Sequence, residues 1–108
     1  DTIGTAKTPE VEELLELLLN SVSANRLAMH FHDTHGQALD NVVAAWKLGI
    51  TAFDGSAGGL GGCPYAPGAP GNVATEFLLE RLTAEGAESR VDRDALRRAS
   101  RILAGHSA

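Results

Sequence analysis

Two short runs, Leu27 to His32 and Ile50 to Asp54, each follow a stretch whose apolar residues recur at helical spacing. That alternation constrains the fold more than any other feature of the chain. Strands reached only through an intervening helix pair in parallel, so the chain reads as α/β. The first helix is expected from about Pro9 to Ser23. Thr8 would cap it, Pro9 suits its first position, and Glu10, Glu12 and Glu13 sit near the positive end of its dipole. Val11, Leu14, Leu15, Leu18 and Val22 would form its apolar stripe. A second helix follows Asp33-Thr34-His35-Gly36, with Leu39, Val42, Val43 and Trp46 inward and Gly49 just past its end.

Between Gly55 and Gly71 lies a segment dense in glycine and proline, a loop long enough to suggest a working role. Asn72 is a candidate cap for a third helix running to about Ala84, burying Phe77, Leu78 and Leu82 and ending at Gly86. Asp92 would cap a last helix that carries Leu96, Ile102 and Leu103. No internal repeat exists beyond the two helix–strand units. Two strands cannot close a barrel, and a (β/α)₈ barrel takes about 250 residues against the 108 present. The opening Asp1-Thr2-Ile3-Gly4 has no initiator Met and resembles no targeting peptide, so the chain is expected to begin in the middle of something longer.

Composition narrows the function. A formal charge of −5 with scattered Lys and Arg argues against nucleic acid or anionic membrane as a partner. No apolar run approaches the roughly 20 residues of a membrane span. The single cysteine, Cys63, excludes an intrachain disulfide and fits a reducing compartment. Hydrophobic residues make up 44% of the chain, enough to build a core in a single domain.

Three features carry chemistry. His30 and His32 stand two apart on a strand, so both rings leave the same face, about 7 Å apart at Cα, and can converge on one cation. They also end the strand, where barrel enzymes place their sites. Either they ligate a metal or they are ordinary core or surface histidines. Asp33 beside them either accepts a hydrogen bond from a ligating ring or caps the next helix. Cys63, in Cys63-Pro64-Tyr65 within the glycine loop, is either a proton donor or nucleophile or part of a plain linker. Neither GxGxxG nor a phosphate-loop lysine accompanies it. Asn72 is either a helix cap or an oxygen ligand for Mg²⁺ or Mn²⁺. His35 and His106 have no partner pattern and read as solvent-exposed.

Together these residues resemble hydroxymethylglutaryl-CoA lyase. The likeness rests on Ser56-Ala57-Gly58-Gly59-Leu60-Gly61-Gly62-Cys63-Pro64-Tyr65-Ala66, followed by Gly71-Asn72-Val73-Ala74-Thr75-Glu76. His30-Phe31-His32-Asp33-Thr34 and Asp1-Thr2-Ile3-Gly4 match in order and spacing, and the likeness weakens after about Glu85. The resemblance implies the carboxy-terminal part of one TIM (β/α)₈ barrel over residues 1–108, with 55–72 as its signature loop. It implies a metallolyase of leucine degradation and ketone-body metabolism that splits 3-hydroxy-3-methylglutaryl-CoA into acetyl-CoA and acetoacetate.

By the same resemblance His30, His32 and Asn72 bind a divalent cation, Mg²⁺ or Mn²⁺. Cys63 and His30 are the catalytic positions, and Asp1 lies beside the site. The substrate is an acyl-CoA, the whole protein is a homo-oligomer, and the compartment is a bacterial cytoplasm or the mitochondrial matrix. The family's first-strand Arg-Asp pair, with its further metal ligand, has no counterpart here. The 108 residues alone are therefore expected to be inactive. Two other readings compete: a related isopropylmalate or homocitrate synthase, which usually lacks the Cys-Pro-Tyr segment, and a non-catalytic truncated module.

Overall fold

A computed structural model describes residues 1–61 and 71–105. Its elements follow the expected alternation: α1 (Thr8–Leu19), β1 (Ala28–His30), α2 (Ala38–Lys47), β2 (Ala52–Asp54), α3 (Thr75–Ala84) and α4 (Arg93–Ala104). One-turn 3₁₀ helices stand at Ala24–Arg26 and Ala57–Gly59. The strands pair in parallel with Ala28 beside Ala52, Met29 beside Phe53 and His30 beside Asp54. The core is centred on Leu15, Val42, Ile50 and Val73, all fully buried, with Phe31, Leu78 and Leu82 packed against them.

The first helix begins one residue early and ends four residues before Ser23. Lys7 occupies the cap, and its N–H donates to Glu10 Oε1 at 3.1 Å. Thr8 is not the cap, because its hydroxyl donates to Asn41 Oδ1 at 2.8 Å. The Asn41 amide in turn donates to the Ala6 carbonyl at 2.9 Å, so this buried polar side chain clips α1 to α2. Of the expected stripe, Val11 and Leu15 are buried, whereas Leu14 is 54% exposed and Leu18 is exposed too. Val11 and Leu15 lie one turn apart and suffice for the packing of α1 on α2; a wider stripe needs a second layer.

Asp33 Oδ1 accepts the Ala38 N–H at 3.2 Å, so this carboxylate serves the start of α2. After α2, Gly49 takes φ +100° and lets Ile50 N–H reach back to the Ala45 carbonyl at 3.1 Å. The turn delivers the chain directly into β2.

The third helix differs from expectation in two respects. It starts at Thr75 with Ala74 at the cap position, so Asn72 is not its cap. Phe77 is 59% exposed and Leu79 is buried in its place, so the covered side of α3 runs along Leu78, Leu79 and Leu82. Asp92 does cap α4, its Oδ1 accepting from Asp94 N at 3.1 Å and Ala95 N at 3.0 Å. Yet Leu96 and Leu103 are only half-buried and Ile102 is exposed. This helix rests on the Ala57–Gly59 turn and on α3, away from the core.

The consequence for function lies in the two faces of the strands. Phe31 turns into the core, while His30 and Asp54 leave the other face at the strands' carboxyl ends. No helix among the described residues is long and apolar enough to cross a membrane.

Candidate metal centre

His30 ends β1, and the parallel register sets Asp54, the last residue of β2, at its side. The His30 Nδ1 and Asp54 Oδ1 are hydrogen-bonded. His32 lies two residues on, where the extended backbone forms an antiparallel bridge with Asn72. Its Nδ1 is 2.9 Å from the Asp1 carbonyl oxygen. A carbonyl, like an ionised carboxylate, has no proton to give, so Nδ1 of each ring is the donor. In a neutral ring with Nδ1–H, the lone pair belongs to Nε2, the form in which histidine ligates metals. The two rings stand 4.8 Å apart between centroids, edge to face at 80°.

Partial burial, the nearby charge of His30 and the Asp1 α-ammonium, in that order, push the His32 pKa below its usual value of 6.5. The ring therefore stays neutral to lower pH than a free histidine. The folded value lies under the unfolded one, so the unfolded state binds more protons between them, and stability rises with pH in that window. Acidifying through pH 6.5 is expected to lower the unfolding free energy, with the loss levelling off once the folded-state ring is also protonated. Denaturant titrations from pH 7.5 to 5 on the chain and on His32→Gln check this; an unchanged pH slope in the variant would remove His32 as the cause.

Asn72 is brought to the same place by its bridge with His32. Its N–H donates to the Gly61 carbonyl at 3.0 Å and its side-chain Nδ2 to the Leu60 carbonyl at 3.1 Å. With Nδ2 spent on the loop, the amide's coordinating atom is Oδ1. Gly61, at φ +98°, passes so close that a Cβ there would lie 2.9 Å from Asn72 Nδ2. Asp1 borders the two histidines. Its nitrogen donates to the His30 carbonyl at 3.0 Å, and its carboxylate accepts the N–H groups of Thr5 and Ala6 at 3.2 and 3.3 Å.

His35 is exposed. Cys63 and His106 lie outside the described residues.

Two residues escaped the sequence reading. Asp54 ends a strand in the sequence, and only the register of β1 and β2 sets it beside His30. Glu76, in the first turn of α3, accepts the Gly58 N–H with both oxygens at 3.0 and 2.9 Å. It thereby anchors the turn from which the glycine loop departs.

The donor set of two imidazole Nε2 atoms and one amide Oδ1 suits a divalent cation but is neutral throughout. Hard cations favour anionic oxygen, so this set is a partial sphere. Among the described residues no group of three or more His, Cys, Asp or Glu side chains is placed to hold a metal ion.

A sequence model of the HMGL-like family matches residues 1–103. The chain belongs to that family. Among HMGL-like proteins, the hydroxymethylglutaryl-CoA lyase of Bacillus subtilis is 60% identical over 85 residues, covering 76% of this chain and 28% of its own length. The crystal structure of the HMG-CoA lyase from Brucella melitensis superposes with a TM-score of 0.95 at 44% identity, covering 98% of this chain and 38% of that one. An HMG-CoA lyase from Acinetobacter baumannii, solved in complex with coenzyme A and 3-methylmalate, gives a TM-score of 0.87 at 43% identity, covering 97% and 34%. The chain thus spans about a third of the family members it matches, and its α/β fold is that of part of their TIM barrel.

Proposed function

We propose that the whole protein carrying this chain cleaves 3-hydroxy-3-methylglutaryl-CoA to acetyl-CoA and acetoacetate. One observation carries the reading: two neighbouring histidines tied at Nδ1, with their Nε2 lone pairs available and one of them bridged to Asn72, stand in a chain 60% identical over 85 residues to a hydroxymethylglutaryl-CoA lyase. In this reading residues 1–108 form the carboxy-terminal portion of one (β/α)₈ barrel and 55–72 its signature loop. His30 and His32 through Nε2, and Asn72 through Oδ1, would hold Mg²⁺ or Mn²⁺, which would lower the pKa of the tertiary hydroxyl and help to orient the scissile bond.

The residues of this chain divide the remaining work. His30, with Nδ1 on Asp54 and Nε2 facing the ion, would serve catalysis through the ion it ligates. Cys63, on the glycine loop, carries a proton to or from the departing acetyl-CoA carbon, and Glu76 fixes the loop's base through Gly58. Asp1 borders the site and braces His32 through its carbonyl. The substrate is an acyl-CoA, the whole protein a homo-oligomer, and its compartment a bacterial cytoplasm or a mitochondrial matrix.

The test is Cys63→Ala in the whole enzyme. Turnover of 3-hydroxy-3-methylglutaryl-CoA is expected to fall about 10²- to 10⁴-fold, the usual worth of a positioned proton-transfer group, with Mn²⁺ affinity unchanged. The 108-residue chain assayed alone is expected to show no turnover. Wild-type rates in the variant would refute the role of Cys63, and an intact wild-type enzyme without lyase activity would refute the assignment.

A further inference from the structure

We infer that Asp54 is a positioning residue that sets the tautomer of His30 for metal binding, an inference that rests on the ligand role proposed for His30. The parallel register places Asp54 directly beside His30, and its Oδ1 takes the Nδ1 proton. A neutral imidazole has one N–H; holding it on Nδ1 leaves Nε2 as the lone-pair atom and fixes the ring about its Cβ–Cγ bond. His32 is held in the same tautomer by the Asp1 carbonyl. The two rings thus share one polarity through two different partners.

The contact is not there for stability. The His30 and Asp54 side chains are 46% and 65% exposed, a setting in which an ion pair adds little to folding. Nor is Asp54 placed as a second ligand of the ion that Nε2 would hold, since it sits at Nδ1, on the other side of the ring. What the pairing alters is the orientation and basicity of Nε2, the effect a carboxylate has behind a metal-binding histidine.

The experiment uses the whole enzyme with four variants: Asp54→Ala, Asp54→Asn, His30→Ala and His32→Ala. Mn²⁺ binding is measured by calorimetry, and the His30 tautomer by ¹⁵N NMR on the metal-free, ¹⁵N-histidine-labelled protein. Asp54→Ala is expected to weaken Mn²⁺ binding about 10- to 100-fold and to shift His30 away from the Nδ1–H form. Asp54→Asn keeps an oxygen acceptor for Nδ1–H and is expected to retain both the tautomer and most of the affinity. An Asp54→Ala protein with wild-type affinity and tautomer, while His30→Ala has lost the metal, overturns the inference and leaves the metal reading standing. An Asp54→Asn protein as weak as Asp54→Ala, with its tautomer intact, also overturns it, because Asp54 would then be a ligand. Wild-type enzyme that binds no Mn²⁺, or His30→Ala that binds it fully, overturns the metal reading and this inference with it.

Discussion

Replacing His32 with alanine in the whole enzyme is expected to lower kcat/KM at least about 10³-fold and to abolish measurable Mn²⁺ binding. A bound cation supplies several kcal/mol of transition-state stabilisation, and each 1.36 kcal/mol is a factor of ten in rate. In the proposed site His32 is one of three donors among the described residues, all neutral, so little would remain to hold the ion without it. The alternative, a histidine kept for packing, predicts something different. His32 is half-buried and bonded to the Asp1 carbonyl, so its removal under that alternative would cost stability and leave Mn²⁺ affinity intact. Steady-state kinetics, calorimetric Mn²⁺ titration and a thermal melt on the same preparation separate the two. A lowered melting temperature with undiminished metal affinity would remove His32 from the site.

The parts of this fold that could be read in advance are those determined within a few residues. Asp92 caps α4 because its carboxylate reaches N–H groups two and three residues ahead, and Gly49 ends α2 because only the local backbone decides it. Alternating helices and strands fixed the parallel sheet for a similar reason: the connection leaves no other pairing. Other assignments turned on a partner far along the chain. Thr8 is a good cap by residue type, yet Asn41, 33 residues away, takes its hydroxyl. Asn72 also has a capping side chain, but the bridge to His32 and the Leu60 carbonyl hold it three residues before α3 begins.

Apolar periodicity likewise marks one side of a helix without saying how far the covering layer extends. On α3 the covered side takes in Leu79 and leaves Phe77 out, a rotation that spacing alone does not set. On α1 the stripe is wider than its contact with α2, so Leu14, Leu17 and Leu18 stay exposed in a chain spanning about a third of the solved lyases it matches. The candidate site divides in the same way. That the His30 and His32 rings stand together follows from their spacing of two, whereas Asp54 needed the register between β1 and β2, which no local pattern encodes.

Alanine at Gly4 is expected to destabilise the fold by about 3 kcal/mol or more, the sum of backbone strain and overpacking. Gly4 is buried with φ +70°, a conformation that costs a residue with a Cβ roughly 1–2 kcal/mol. The added Cβ would stand 2.4 Å from Thr34 Oγ1, 2.6 Å from Thr34 Cβ and 3.0 Å from the His32 carbonyl. Thr34 is 7% exposed and has little room to yield, and the His32 carbonyl belongs to the strand end that carries the candidate ligands. Any relief moves the Asp1–Gly4 turn outward, taking with it the Asp1 carbonyl that holds His32 Nδ1. Gly36 provides the control: its φ is +71°, but a Cβ there meets nothing within 4 Å. Gly36→Ala should therefore lose only the strain, about 1 kcal/mol. Denaturant unfolding of both variants, with Mn²⁺ affinity measured alongside, isolates the steric part as the difference between them. Equal losses at the two glycines would mean that Thr34 and the His32 carbonyl yield freely, and the turn would then lose its role as a brace for the His32 ring.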